Sequence, residues 1–78
     1  MNKQLSPVMK ACRDYMREHG GKIRRHQGGF WADENWKRHL GGVTFGTSTV
    51  EALVSRGVAE YSVWKEGRNG RFPIEARL

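Results

Sequence analysis

The sequence has one cysteine, two prolines and no long apolar run among its 78 residues. A single cysteine excludes an internal disulfide framework, and the lack of an apolar stretch of about 18 residues argues against a transmembrane helix. No signal-peptide pattern is present, so we expect a cytoplasmic protein that does not contact membranes. Cys12 lies on the apolar side of a predicted helix, which is typical of a buried thiol that acts as a small hydrophobic residue.

Acidic residues are also scarce, with eight Asp and Glu against fourteen Lys and Arg, which gives a formal net charge of +6. An excess of this size favours an anionic partner, nucleic acid first and an acidic protein surface second. The excess is uneven, because residues 1–40 hold nine Lys or Arg and four Asp or Glu, whereas residues 41–78 hold five and four. Most of the positive charge available to a partner therefore lies in the first half.

Residue types that form catalytic or metal sites are few and poorly spaced. His19, His26 and His39 match no compact pair of zinc ligands, and Cys12 is the only thiol. The Gly-Gly pairs separate predicted elements and form no phosphate-binding loop, and no nucleophile motif is present. We expect a protein that is not an enzyme and that needs no metal or cofactor.

The chain length predicts one domain, residues 1–78, with a thin core. A helix is predicted over residues 7–19, in which Ser6 is the N-cap, Pro7 is the first helical residue and His19 precedes two glycines. The positions that recur at helical spacing, and that we expect to be buried, are Val8, Ala11, Cys12, Tyr15 and Met16.

The other side of this helix is basic. Its cations are Lys10, Arg13 and Arg17, at positions i, i+3 and i+7. Such a line is either an ordinary solvated face or a ridge that contacts phosphates.

Short strands are predicted after the first helix. Residues 22–26 favour a strand, and residues 27–29 form either a turn before a second strand at 30–32 or a bulge in one strand. Arg24 and Arg25 are both candidate binding residues, but a regular strand turns neighbouring side chains to opposite faces, so we expect only one of them to reach a given ligand.

The segment before the second helix is less clearly patterned. Residues 33–40 fit either a short helix capped by Asp33 or an exposed loop anchored by Trp36. Residues 42–46 favour a short strand.

From residue 47 onward the pattern is more distinctive. Ser48 and Glu51 have the spacing of a capping box that starts a helix, and Gly57 supplies its left-handed end. Two strands of period two follow, joined by a five-residue loop over residues 66–70. The strand positions expected to face inward are Ala59, Tyr61, Val63, Phe72, Ile74, Ala76 and Leu78.

Residues 47–78, with a short capped helix, a glycine turn and a terminal hairpin with a basic tip, resemble the recognition helix and wing of winged helix-turn-helix proteins. The resemblance implies an α+β fold in which an N-terminal helix and a short central helix pack on a small antiparallel sheet that ends in the C-terminal β-hairpin. It also implies a duplex-DNA-binding regulator. The contacts expected from the central helix and the wing come from Thr49, Ser55, Arg56, Lys65, Arg68 and Arg71.

A different hypothesis fits the same composition. Small basic domains made by phages and other mobile elements dock on a host nucleic-acid-processing complex and inhibit it, and the concentration of charge before residue 40 favours this alternative. At least one of Trp31, Trp36 and Trp64 should be partly exposed, since Phe45, Phe72 and Tyr61 occupy predicted core positions. Exposed aromatic residues leave the oligomeric state open, with a dimer as one possibility.

Overall fold

The computed structural model describes residues 5–37 and 41–78, which contain two helices and five strands. In chain order these are α1 (Pro7–Glu18), β1 (Lys22–His26), β2 (Phe30–Ala32), β3 (Phe45–Gly46), α2 (Thr47–Ser55), β4 (Glu60–Gly67) and β5 (Gly70–Arg77). The strands pair in one antiparallel sheet in the order β3-β2-β1-β5-β4, and both helices contribute to the core on one side of it. The predicted α+β fold, two helices on a small antiparallel sheet with a C-terminal hairpin, is confirmed.

The first helix begins as predicted. The Ser6 hydroxyl accepts a hydrogen bond from the Met9 amide at 3.3 Å, and Pro7 occupies the first helical position, where an amide would have no partner. The helix ends at Glu18, one residue before the predicted end, and His19 is its C-cap.

The buried side of α1 differs from the prediction. Met9, Cys12 and Met16 are the buried positions, whereas Val8 is 51% exposed and Ala11 is also exposed. The predicted stripe was therefore wrong at Val8 and Ala11, because α1 turns its Met9 side toward the core that it shares with α2 and β1. Cys12 is fully buried, as expected for a small hydrophobic residue.

Trp31 lies at the centre of the core and is fully buried. Its indole N–H donates to the Thr47 hydroxyl at 3.1 Å, and that hydroxyl donates to the Gly29 carbonyl at 3.0 Å. Directly opposite Trp31 in the sheet are Phe45 on β3 and Arg25 on β1. The indole thus joins β2 to the start of α2 and to the turn before β2.

The start of α2 is not the predicted capping box. The helix begins at Thr47, its N-cap is Gly46, and no side chain caps it. The end agrees with the prediction: Gly57 has a φ of +77°, its amide donates to the Val54 carbonyl, and the Val58 amide donates to the Leu53 carbonyl. This pair of bonds is a Schellman motif, which needs a residue that tolerates positive φ.

The C-terminal hairpin has a tighter tip than predicted. Gly67 pairs with Gly70, so the strands continue into the segment predicted as a five-residue loop, and only Arg68 and Asn69 form the turn. Gly70 has a φ of +114°, which favours glycine at the exit of so short a turn.

The alternation expected along β4 and β5 is broken by two register shifts. Ser62 is an extra residue on β4 and Ile74 an extra residue on β5, so Tyr61 pairs with Ala76 but Trp64 pairs with Pro73. The expectation that Val63 faces inward is wrong, because Val63 lies between the two register shifts and is 37% exposed. Leu78, also expected inward, follows the end of β5 and is exposed as well.

The segment between β2 and β3 forms a turn where the structure describes it. Within residues 33–37, the Asp33 carboxylate accepts from the Asn35 amide and its carbonyl accepts from the Trp36 amide, each at 3.0 Å. These residues are not helical; the rest of the predicted 33–40 element lies outside the described residues. The strand predicted over residues 42–46 is limited to β3, while residues 27–29 form the turn that joins β1 and β2.

Leu53 is fully buried on α2, so Leu53→Ala should cost about 2–5 kcal/mol in the free energy of unfolding by leaving a cavity. Val43→Ala is the matched control, because Val43 is exposed and its truncation should stay within about 0.5 kcal/mol. Urea denaturation followed by circular dichroism compares them. Equal midpoints for the wild type and Leu53→Ala would mean that α2 does not pack as described.

Candidate nucleic-acid interface

A cleft lies between two hairpins of the sheet. The β1–β5 ladder includes only Lys22 to Arg24 on β1 and Glu75 to Arg77 on β5. Beyond Arg24 and Glu75 the β1–β2 hairpin and the β4–β5 hairpin are no longer paired with each other, and the space between them is open. We call this space the inter-hairpin cleft.

The cleft consists of two adjoining grooves with volumes of about 530 and 500 Å³. The first is lined by Arg24, Arg25, His26, Gln27, Gly28, Gly29, Lys65, Phe72 and Ile74. The second is lined by Arg25, Gly67, Arg68, Asn69, Gly70, Arg71 and Phe72. Arg25 and Phe72 belong to both grooves.

The charged residues that line the inter-hairpin cleft, among those the structure describes, are all positive. Five of the predicted binding residues meet there, namely Arg24, Arg25, Lys65, Arg68 and Arg71, and no Asp or Glu lines either groove. Two acids lie directly opposite cleft residues in the sheet, Glu75 opposite Arg24 and Glu66 opposite Arg71, and neither lines the cleft. A concave surface lined by one sign of charge concentrates the field and attracts polyanions.

Arg24 and Arg25 both line the first groove of the cleft, although neighbouring residues of a regular strand turn their side chains to opposite faces. The strand itself is regular, since Arg24 pairs with Ala32 and Arg25 with Trp31. Both residues can line it because the cleft lies beside the strand, where β5 no longer pairs with β1, and not above one face. Side chains from either face of β1 can therefore reach it.

Two arginine–aromatic pairs flank the β4–β5 hairpin. The Arg25 guanidinium carbon lies 5.1 Å from the centroid of the Phe72 ring, and that of Arg71 lies 5.2 Å from the centroid of the Trp64 ring. Trp64 is 44% exposed, so the expectation of a partly exposed tryptophan is confirmed. Phe72 was assigned to the core, but it is only half-buried and lines the cleft.

An aromatic cluster supports the turn that forms one wall of the cleft. The His26 ring stacks on Phe30 with centroids 5.4 Å apart, and Trp36 contacts both rings. The His26 Nε2–H donates to the Asp33 carbonyl at 2.8 Å. These contacts hold residues 27–29 in place through the side chains on either side of them.

The basic line of α1 is not part of the cleft. Arg13 and Arg17 both approach the Asp14 carboxylate, at 3.2 and 3.7 Å, which offsets part of their charge. Lys10 is exposed, and within the part of the chain described here it has no carboxylate partner.

The candidate residues of α2 also lie outside the cleft. The Ser55 hydroxyl donates to the Ala52 carbonyl at 3.1 Å, and the Arg56 guanidinium reaches the same carbonyl at 3.5 Å. Thr49 is half-buried. This end of α2 uses its polar side chains largely to satisfy its own backbone.

Other features give no catalytic or metal centre within residues 5–37 and 41–78. No three His, Cys, Asp or Glu side chains there come together to hold a metal ion. Burial raises the pKa of the Cys12 thiol to about 11, so the thiol stays protonated at neutral pH and is a poor nucleophile or ligand. His39 lies outside the described residues.

A second concavity, near the end of α1, has a volume of about 200 Å³. It is lined by both signs of charge, with Asp33, Glu34 and Glu75 facing Lys22 and Arg24. This mixture suits a polyanion less well than the cleft does.

In the same described ranges, neither helix has the length and apolar character needed to cross a bilayer.

Comparison with known protein families, with curated proteins and with solved structures found no significant match.

Proposed function

We propose that this protein is a nucleic-acid-binding module, without enzymatic activity, whose main contact is the inter-hairpin cleft. The observation that carries the proposal is the convergence of five cationic side chains from two hairpins on one concave surface that no described carboxylate lines. Phosphate oxygens are the natural partners of such a surface, because arginine and lysine neutralise them and release condensed counterions. The net charge of +6 adds long-range attraction.

A regulator of winged-helix type that binds duplex DNA is one form of this proposal. In that form the β4–β5 hairpin acts as the wing, with Arg68 at its tip and Arg71 beside it, and α2 approaches the bases. The tip is a two-residue turn exposed to solvent, which suits contact with a phosphate backbone. The α2 surface has fewer side chains available to contact DNA, because those of Ser55 and Arg56 donate hydrogen bonds to the helix backbone.

The variant Arg24→Ala/Lys65→Ala removes two charges from opposite walls of the cleft, while Lys10→Ala/Arg56→Ala removes two charges from outside it. Fluorescence anisotropy with labelled DNA over a series of salt concentrations measures affinity and its salt dependence. We expect the cleft variant to weaken binding and to lower the salt slope by about two, since each lost phosphate contact contributes about one. Equal losses in the two variants would mean that binding depends on overall charge and not on the cleft.

Arg68→Ala and Arg71→Ala test the hairpin tip separately. Because these side chains would contact phosphates and not bases, each substitution should weaken binding to a similar degree for unrelated DNA sequences and lower the salt slope by about one. The measurement is a gel-shift titration against two DNA sequences of equal length. If both variants keep the wild-type affinity and slope, the hairpin tip is not part of the interface.

Docking on a host protein complex that processes nucleic acid is the second candidate function. It is favoured by Trp64, which is 44% exposed on β4, lies beside the exposed Val63 and is covered by Arg71. Tryptophan and arginine are enriched among the residues that dominate protein interfaces. In this case the basic line of α1 would supply part of the contact.

Co-purification from the source cell after nuclease treatment distinguishes the two functions. If a protein partner is bound through this surface, Trp64→Ala should lose it, whereas Val43→Ala, at an exposed site elsewhere, should retain it. Replacing Lys10, Arg13 and Arg17 by Ala tests the α1 contribution, and because alanine favours helix at these sites the fold should survive. A partner retained by Trp64→Ala and by the triple variant would exclude both surfaces.

A further inference from the structure

We propose that the Arg25–Phe72 pair is a base-stacking site that directs the cleft toward single-stranded nucleic acid. The inference rests on the proposed function, because it specifies which nucleic acid the cleft binds. It concerns a pair that the sequence did not indicate as a unit, since Phe72 was expected in the core and Arg25 was considered only as a charge.

The guanidinium of Arg25 lies over the Phe72 ring and near the turn that contains Gly29. Its central carbon lies 5.1 Å from the Phe72 ring centroid, which is within the range of a cation–π contact. On the turn side, a Cβ placed on Gly29 would lie 3.9 Å from the Arg25 Nη2, and Gly29 has a φ of +86° that favours glycine. Among the described residues no carboxylate forms an ion pair with Arg25. Its guanidinium can therefore donate hydrogen bonds to a ligand or stack on one.

The pair lies where the two grooves of the cleft meet, because Arg25 and Phe72 are the residues that line both. Arg24 and Lys65 line only the first groove, and Arg68 and Arg71 line only the second. A single strand that passes through both grooves would place a base on the Arg25–Phe72 pair, and the phosphates on either side of that base would meet cations. Stacking between flanking phosphate contacts is the arrangement that binds single strands without sequence preference.

A single strand can use the Arg25–Phe72 pair in a way that a duplex cannot. A duplex keeps its bases stacked and paired, so it could rest on the rim of the cleft but could not present a base face to Arg25. Extruding a base from a duplex costs a few kcal/mol, whereas a base in a single strand is already unpaired.

Arginine is better suited to this position than lysine. Its guanidinium is planar and weakly hydrated, so one face can lie on Phe72 while the other accepts a nucleobase. A lysine would keep the positive charge but would offer no plane. Arg25→Lys therefore separates stacking from electrostatic attraction.

The experiment uses the full chain and a ten-nucleotide single-stranded DNA with 2-aminopurine at its centre, and a blunt duplex of the same sequence. Wild-type protein should bind the single strand more tightly than the duplex and quench the 2-aminopurine fluorescence on stacking. Arg25→Lys should weaken single-strand binding at least about fivefold, which corresponds to the low end of the range for one stacked base, and should abolish the quenching. Arg56→Lys, which lies outside the cleft, is the matched control and should change affinity less than about twofold.

Phe72→Leu provides a second variant, because it keeps every charge and removes only the ring beneath Arg25. We expect weaker single-strand binding and loss of quenching, with thermal melts confirming that the variant is folded. Equal or tighter binding of the duplex, or quenching unchanged in Arg25→Lys and in folded Phe72→Leu, would overturn the inference while leaving nucleic-acid binding in place. Failure of the wild type to bind either DNA at low salt would instead overturn the proposed function.

Discussion

The arrangement of this domain depends on how the Trp31 side chain is buried. An indole can be enclosed in a core only if its N–H finds an acceptor, and here the acceptor is the Thr47 hydroxyl, which in turn donates to the Gly29 carbonyl. This chain of two hydrogen bonds joins the turn before β2, the centre of β2 and the first residue of α2. It satisfies the buried polar group and also fixes where α2 begins.

Because the turn at residues 27–29 is tied to the core in this way, one wall of the cleft is anchored to the most buried part of the protein. The opposite wall is shaped by the β4–β5 hairpin. Proline has no amide hydrogen, and Pro73 lies next to the bulged Ile74, just beyond the point at which β1 stops pairing with β5. We attribute the divergence of the two hairpins to this interruption, which turns a continuous sheet into a sheet with a basic cleft.

Much of the fold could be predicted from local signals. The Ser6 and Pro7 start of α1, the Gly57 end of α2 and the terminal hairpin follow from capping and turn chemistry, which acts over a few residues. The start of α2 could not be predicted in the same way. Ser48 and Glu51 have the spacing of a capping box, but the tertiary contact of Thr47 with Trp31 decides the boundary, and that contact spans 16 residues.

The candidate site was only partly predictable. Its five cations could be identified by residue type, but their convergence depends on where the β1–β5 ladder ends, which no local pattern specifies. Phe72 was assigned to the core because period-two alternation was assumed throughout β5. Pro73, next to it, was the available signal, since proline within a strand marks a bulge or an unpaired position.

The register shifts in β4 have a further consequence for the behaviour of the protein in concentrated solution. β4 forms one edge of the sheet, and a long, regular edge strand is a template on which further chains can add and aggregate. The extra residue at Ser62 divides this edge into two short segments, and Glu60, Lys65 and Glu66 place charges of both signs along it. The bulge beside Trp64 thus also makes the edge a poor template for amyloid-like growth.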